Sequence, residues 1–83
     1  MVLLPKFPVV SGFHLVKILN SLGYLVLRQR GSHIQMVKKT DAGEHRITIP
    51  LHDEIAKGTL HDIVTKVAEW NSVSKEDIIE MLR

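Results

Sequence analysis

The chain has 83 residues, a formal net charge of +2 and no Cys, which is enough for one domain spanning 1–83 and too little for two. The missing thiols exclude a disulfide scaffold, a cysteine nucleophile and any zinc site with Cys ligands, and they fit a reducing, cytoplasmic setting. No apolar run approaches the roughly 20 residues of a bilayer span, and the first residues lack a secretory pattern, so no membrane partner is expected.

Pro5-Lys-Phe-Pro8 reads as an extended lead-in, and Ser11 as the N-cap of a first helix. Leu15, Ile18, Leu19 and Leu22 then repeat at the spacing of one buried helical stripe, and Gly23 stands where a left-handed C-terminal cap belongs. From there the period changes from 3.6 to 2. Tyr24–Arg30 reads as a strand, Gly31-Ser32 as a two-residue turn with Gly first, and His33–Lys38 as a second strand. A four-residue turn, Thr40–Gly43, leads to a third strand, His45–Pro50. Thr59 is the expected N-cap of a second helix, with Leu60, Ile63, Val64 and Val67 as its buried stripe and Trp70 near its end. Ser74-Lys-Glu-Asp77 resembles a capping box and opens a short third helix through Ile78, Ile79 and Leu82.

A meander of this kind can be tested by parity, because opposed residues on paired strands share a face. A turn made only of Gly31 and Ser32 opposes Arg30 to His33, Arg28 to Gln35 and Leu27 to Met36. The second turn opposes Met36 to Ile47, Gln35 to Thr48 and Val37 to Arg46. One face then collects Leu25, Leu27, Ile34, Met36, Ile47 and Ile49, a core face. The other collects Val26, Arg28, Arg30, His33, Gln35, Arg46 and Thr48, which is polar and basic. The expected fold is α+β, in the order α-β-β-β-α with a short C-terminal helix: a three-stranded antiparallel sheet with helices on one face and the other face open. Charge follows the same division. Residues 1–52 carry a net +5 and residues 53–83 a net −3, so one part of the surface can attract a polyanion.

This element order resembles that of double-stranded RNA-binding domains. A closer likeness lies in the residues themselves. Pro8-Val-Val-Ser-Gly12, Leu22-Gly-Tyr24, Arg28-Gln-Arg-Gly-Ser-His33, Ile49-Pro-Leu-His52 and Lys57-Gly-Thr-Leu60 together resemble the HicA (YcfA-like) toxin family over roughly positions 6–82. The most specific piece is Gly31-Ser-His33 after a basic strand, joined to Gly58-Thr-Leu60 downstream; the chain departs from the family at Ile34 and Met36. The resemblance implies a small ribonuclease that cuts messenger RNA, is held inactive by a HicB-type antitoxin, and uses His33, the His of the Gly-Ser-His motif, as its catalytic residue.

The residues support that chemistry in outline. RNA carries its own nucleophile, the 2′-OH, so cleavage needs proton transfer and charge stabilisation but no metal or other cofactor. A His titrates near neutral pH and suits the proton steps. Arg28, Arg30 and Arg46 are candidates to grip phosphate, Gln35 lies among them, and Gly31 and Ser32 offer backbone N–H groups and a hydroxyl in the turn. His52, just past the third strand, is the first candidate for a second proton carrier. His14 and His61 read as helix-surface or partly buried residues, Trp70 as core, and Lys38 and Lys39 as edge protection or further RNA contacts. Two other functions remain open: a non-catalytic RNA-binding module, against which the acidic second half argues, and a decayed toxin kept as an interaction partner.

Overall fold

The structure, a computed structural model, describes residues 7–83; Pro5 and Lys6 of the expected lead-in lie outside them. Helix α1 spans Gly12–Ser21 and is followed by strands β1 (Leu25–Arg30), β2 (His33–Thr40) and β3 (Gly43–Pro50), then helices α2 (Lys57–Asn71) and α3 (Lys75–Leu82). The strands form one antiparallel sheet in the order β1-β2-β3, as the alternation predicts.

Local chemistry sets most boundaries. The Ser11 hydroxyl accepts the His14 N–H at 3.1 Å and starts α1. Gly23, at φ 101, ends it: Tyr24 N–H returns to the Leu19 carbonyl and Gly23 N–H to that of Asn20, a Schellman pair that needs a left-handed residue. Ser74 caps α3 in the same way as Ser11, accepting the Asp77 N–H. Helix α2 departs from expectation. It begins at Lys57, with Ala56 at its cap and no side-chain cap bond, so Thr59 lies inside the first turn. The reason is tertiary: buried Ile55 donates its N–H to Val10 O at 2.8 Å, which fixes where the chain can turn into the helix. Its far end is closed by Ser72 in the left-handed region at φ 53.

The core lies between the helices and one sheet face. Leu15 and Leu19 of α1, Leu60, Ile63, Val64 and Val67 of α2, and Ile78, Ile79 and Leu82 of α3 bury against Ile34, Met36, Ile47 and Ile49. Two residues of the expected core face are not there: Leu25 is 64% exposed and Leu27 46%. The register explains both. Arg30 opposes His33 and Arg28 opposes Gln35 as expected, but Val26 then opposes Met36 and Leu25 opposes Val37. Leu27 is the unpaired residue of a β-bulge, which shifts the parity of everything before it. Leu25 moves to the open face, Val26 moves off it, and all six residues of this edge strand are exposed. The second hairpin is tighter than expected, with only Asp41 and Ala42 between the paired Thr40 and Gly43, yet its register is the expected one: Met36 opposes Ile47 and Gln35 opposes Thr48.

One polar group is buried with the core. His45 is 4% exposed on the helix side of β3, where its ring stacks on Trp70 with centroids 4.9 Å apart and planes 5° from parallel. Asn71 Nδ2 donates to the Tyr24 hydroxyl at 3.0 Å, and that hydroxyl lies 2.6 Å from His45 Nδ1. Among the described residues Nδ1 is the one acceptor beside the Tyr24 hydroxyl, so the O–H donates to it and the neutral His45 ring carries its proton on Nε2. Lys38 Nζ completes the cluster by donating to Asn71 Oδ1. Burial, and secondarily the nearby Lys66 charge, lowers the His45 pKa. Burial also raises that of Tyr24, against the opposing effect of the Asn71 hydrogen bond.

Candidate active site

The turn before His33 is built to be tight and to be held. Gly31 adopts φ 57, Ser32 stays out of the left-handed region, and Gln29 Nε2 reaches the Gly31 carbonyl at 3.3 Å. The Ser32 carbonyl accepts the N–H of Leu51, just beyond β3, at 2.6 Å. One residue further on, the His52 carbonyl accepts the N–H of Gly12 at 2.9 Å. Gly12 is forced here: a Cβ would lie 2.2 Å from the Pro50 carbonyl oxygen, so only hydrogen fits between α1 and the chain leaving β3. The start of α1, the end of β3 and the β1–β2 turn are thus locked in series behind His33.

On the open face this framework presents a shallow depression of about 160 Å³, lined by Arg28, Arg30, His33, Gln35 and Thr48. Arg28, Gln35 and Thr48 form one row across the three strands, and Arg30, His33 and Pro50 the next. Directly opposed side chains on such a face stand about 5 Å apart at Cβ, so each Arg lies beside its partner on β2. His33 is exposed, and no acidic residue lines the depression. Among the described residues, neither Arg28 nor Arg30 has an ion-pair partner, and the His33 ring has no hydrogen-bonding neighbour. The guanidinium groups are therefore available to an anion from solution.

Two expected members stand apart. Arg46 shares the face but lies four residues along β3 from Pro50, about 13 Å away. It pairs with Glu44 at 2.9 Å and lines a separate depression against α2. His52 is exposed beside the turn, its carbonyl held by Gly12, and does not line the His33 depression. His14, half-buried with Nε2 3.2 Å from the Leu82 carbonyl, and exposed His61, with its ring 5.4 Å from that of Phe7, are far from it in role. Among the described residues, no group of three His, Asp or Glu side chains converges where it could hold a metal ion. None of their helices is long and apolar enough to cross a membrane.

The family model of the HicA toxin of bacterial toxin-antitoxin systems matches residues 14–70, well over half of the chain. The chain belongs to the HicA toxin family. The HicA match takes in nearly all of α1, the whole sheet and α2 through Trp70, and so includes every residue of the depression; α3 lies beyond it. No curated protein and no solved structure matches the chain.

Proposed function

We propose that this HicA-family protein is an endoribonuclease that cuts messenger RNA without a metal, with His33 as its catalytic residue, and that a HicB-type antitoxin silences it in the cytoplasm. The observation that carries this reading is the acid-free depression in which exposed His33 stands beside Arg30, one row from Arg28, on a turn locked from behind.

The reaction is an internal transesterification. The ribose 2′-oxygen bonds to the adjacent phosphorus and the bond from phosphorus to the 5′-oxygen breaks, leaving a cyclic phosphate and a free 5′-hydroxyl. One group removes the 2′ proton and another protonates the leaving oxygen. His33 takes one of these steps, and general acid–base help of this kind is worth about 10²–10⁴-fold. Arg28 and Arg30 balance the charge that grows on the phosphorane, and the Gly31 and Ser32 N–H groups at the turn add donors on the same side. Gln35 and Thr48 offer uncharged hydrogen bonds to ribose or base. His52, next to the turn, is the candidate for the second proton step. Because the substrate supplies its own nucleophile, the reaction needs no metal-bound water. An antitoxin silences such a site by covering the basic face.

The test is cleavage of single-stranded RNA by wild-type protein and by His33→Ala, each with and without chelator, alongside growth arrest on expression without antitoxin. Wild-type cutting that survives chelator and disappears with His33→Ala supports the reading. RNA retained but never cut makes the protein a binding module, and full activity in His33→Ala removes that residue from the chemistry.

A further inference from the structure

The second depression, about 360 Å³, lies where the free edge of β3 meets α2. Its floor is apolar, from Ile47 and Ile63, and its rim carries Arg46 and Lys66 together with Asp62 and Thr59. Thr59, Asp62, Ile63 and Lys66 follow the i, i+3, i+4, i+7 spacing, so one stripe of α2 faces this edge. Thr48 lines both depressions, so the two adjoin across β3. The Glu44 partner does not neutralise Arg46 for this purpose, since both side chains are largely exposed and such pairs are weak.

We propose that this depression is a second nucleotide subsite for the RNA strand that crosses His33. It rests on the ribonuclease reading above and adds a base preference to it. Arg46 and Lys66 hold a phosphate, the apolar floor receives a base face, and Asp62 reads the base edge. Asp62 is 77% exposed at its side chain, and its contact with the exposed His61 ring, Nδ1 to Oδ1 at 4.0 Å, is long and solvent-screened, so the carboxylate can turn onto a ligand at little cost. An ionised carboxylate only accepts hydrogen bonds, and guanine presents two adjacent donors, N1–H and the 2-amino group, on its Watson–Crick edge. The subsite therefore selects guanine. An acid on an otherwise cationic path is unfavourable for phosphate alone, which is why a base-reading role fits Asp62 better than a backbone one.

The experiment maps cut sites in a pool of random-sequence single-stranded RNA. Wild-type protein is expected to cut at a fixed distance from guanine, and Asp62→Ala to lose that preference by about tenfold. Lys66→Ala is expected to raise KM severalfold for all sequences, with kcat and the guanine preference kept. Wild-type cutting with no preference for Asp62→Ala to change, or with KM unmoved by Lys66→Ala, overturns the subsite and leaves the ribonuclease reading standing. No cutting by wild-type protein overturns both.

Discussion

The Tyr24 hydroxyl joins α1's exit to β3 and α2, and its removal measures what the buried polar cluster contributes. Tyr24→Phe keeps the ring, which is fully buried, and deletes one oxygen. That oxygen supplies the donor to His45 Nδ1 at 2.6 Å and accepts from Asn71 Nδ2 at 3.0 Å. Asn71 keeps its second bond, to the Val67 carbonyl at 2.8 Å, so His45 is the group left without a partner. A buried acceptor stripped of its donor costs about 1–3 kcal/mol, and loss of the Asn71 bond adds about 1 kcal/mol. The expected destabilisation is therefore about 2–4 kcal/mol. In a chain of this size each kcal/mol moves Tm by about 4–8 °C, which gives a fall of about 8–32 °C. Urea titration followed by Trp70 fluorescence is the assay: Trp70 is the one Trp in the chain and stacks on His45. Using His33→Ala as the parent removes the proposed toxicity from expression. A urea midpoint unchanged by Tyr24→Phe would refute the hydrogen-bond argument, since no compensating partner for Nδ1 is present among the described residues.

The same cluster makes stability depend on pH. Burial lowers the His45 pKa, so the folded state holds the neutral ring; the resulting stability is complete above the unfolded value of about 6.5 and declines as pH falls below it. The urea midpoint should drop between about pH 7.5 and about pH 5.5, and the drop should shrink in His45→Phe. Gly12→Ala places a methyl 2.2 Å from the Pro50 carbonyl oxygen and should cost about 1–3 kcal/mol, with faster hydrogen exchange at the Leu51 amide as the latch to Ser32 loosens. Ser72→Gly relieves the left-handed residue at φ 53 and should stabilise by about 0.5–1 kcal/mol in the same titration. Arg28→Ala and Arg30→Ala should each reduce the slope of log binding constant against log salt by about 0.7 for a single-stranded RNA, and an unchanged slope would place phosphate elsewhere.

The parts of this fold that were legible in the sequence are those governed by short-range rules. Ser11, Gly23 and Ser74 act as the caps their chemistry implies, and Gly31-Ser32 makes the turn that opposes Arg30 to His33. Alternation counted outward from that turn brought Arg28, Arg30, His33, Gln35 and Thr48 together correctly, because all five lie on the near side of the bulge. Past Leu27 the count fails, since nothing local marks an extra residue in a run of Leu and Val. Thr59 misled because helix propensity and capping rules know nothing of the Ile55–Val10 hydrogen bond. His45 was within reach: it has the parity of Ile47 and Ile49, and that alternation alone places it among the core residues. What no periodicity conveys is its partner set, drawn from Tyr24, Trp70 and Asn71 across the fold.

The bulge at Leu27 also bears on self-association. Strand β1 offers a ladder edge that no strand among the described residues pairs with, and it carries three consecutive exposed apolar side chains, Leu25, Val26 and Leu27, the kind of template on which two copies zip together into an extended sheet. The extra residue interrupts the hydrogen-bond rhythm in the middle of that edge, and the two arginines beyond it set like charges against each other in a parallel, in-register docking and place charge against the apolar end in an antiparallel one. The cations that would hold phosphate thus also act as gatekeepers for solubility, and a preparation stripped of both should be the first to precipitate.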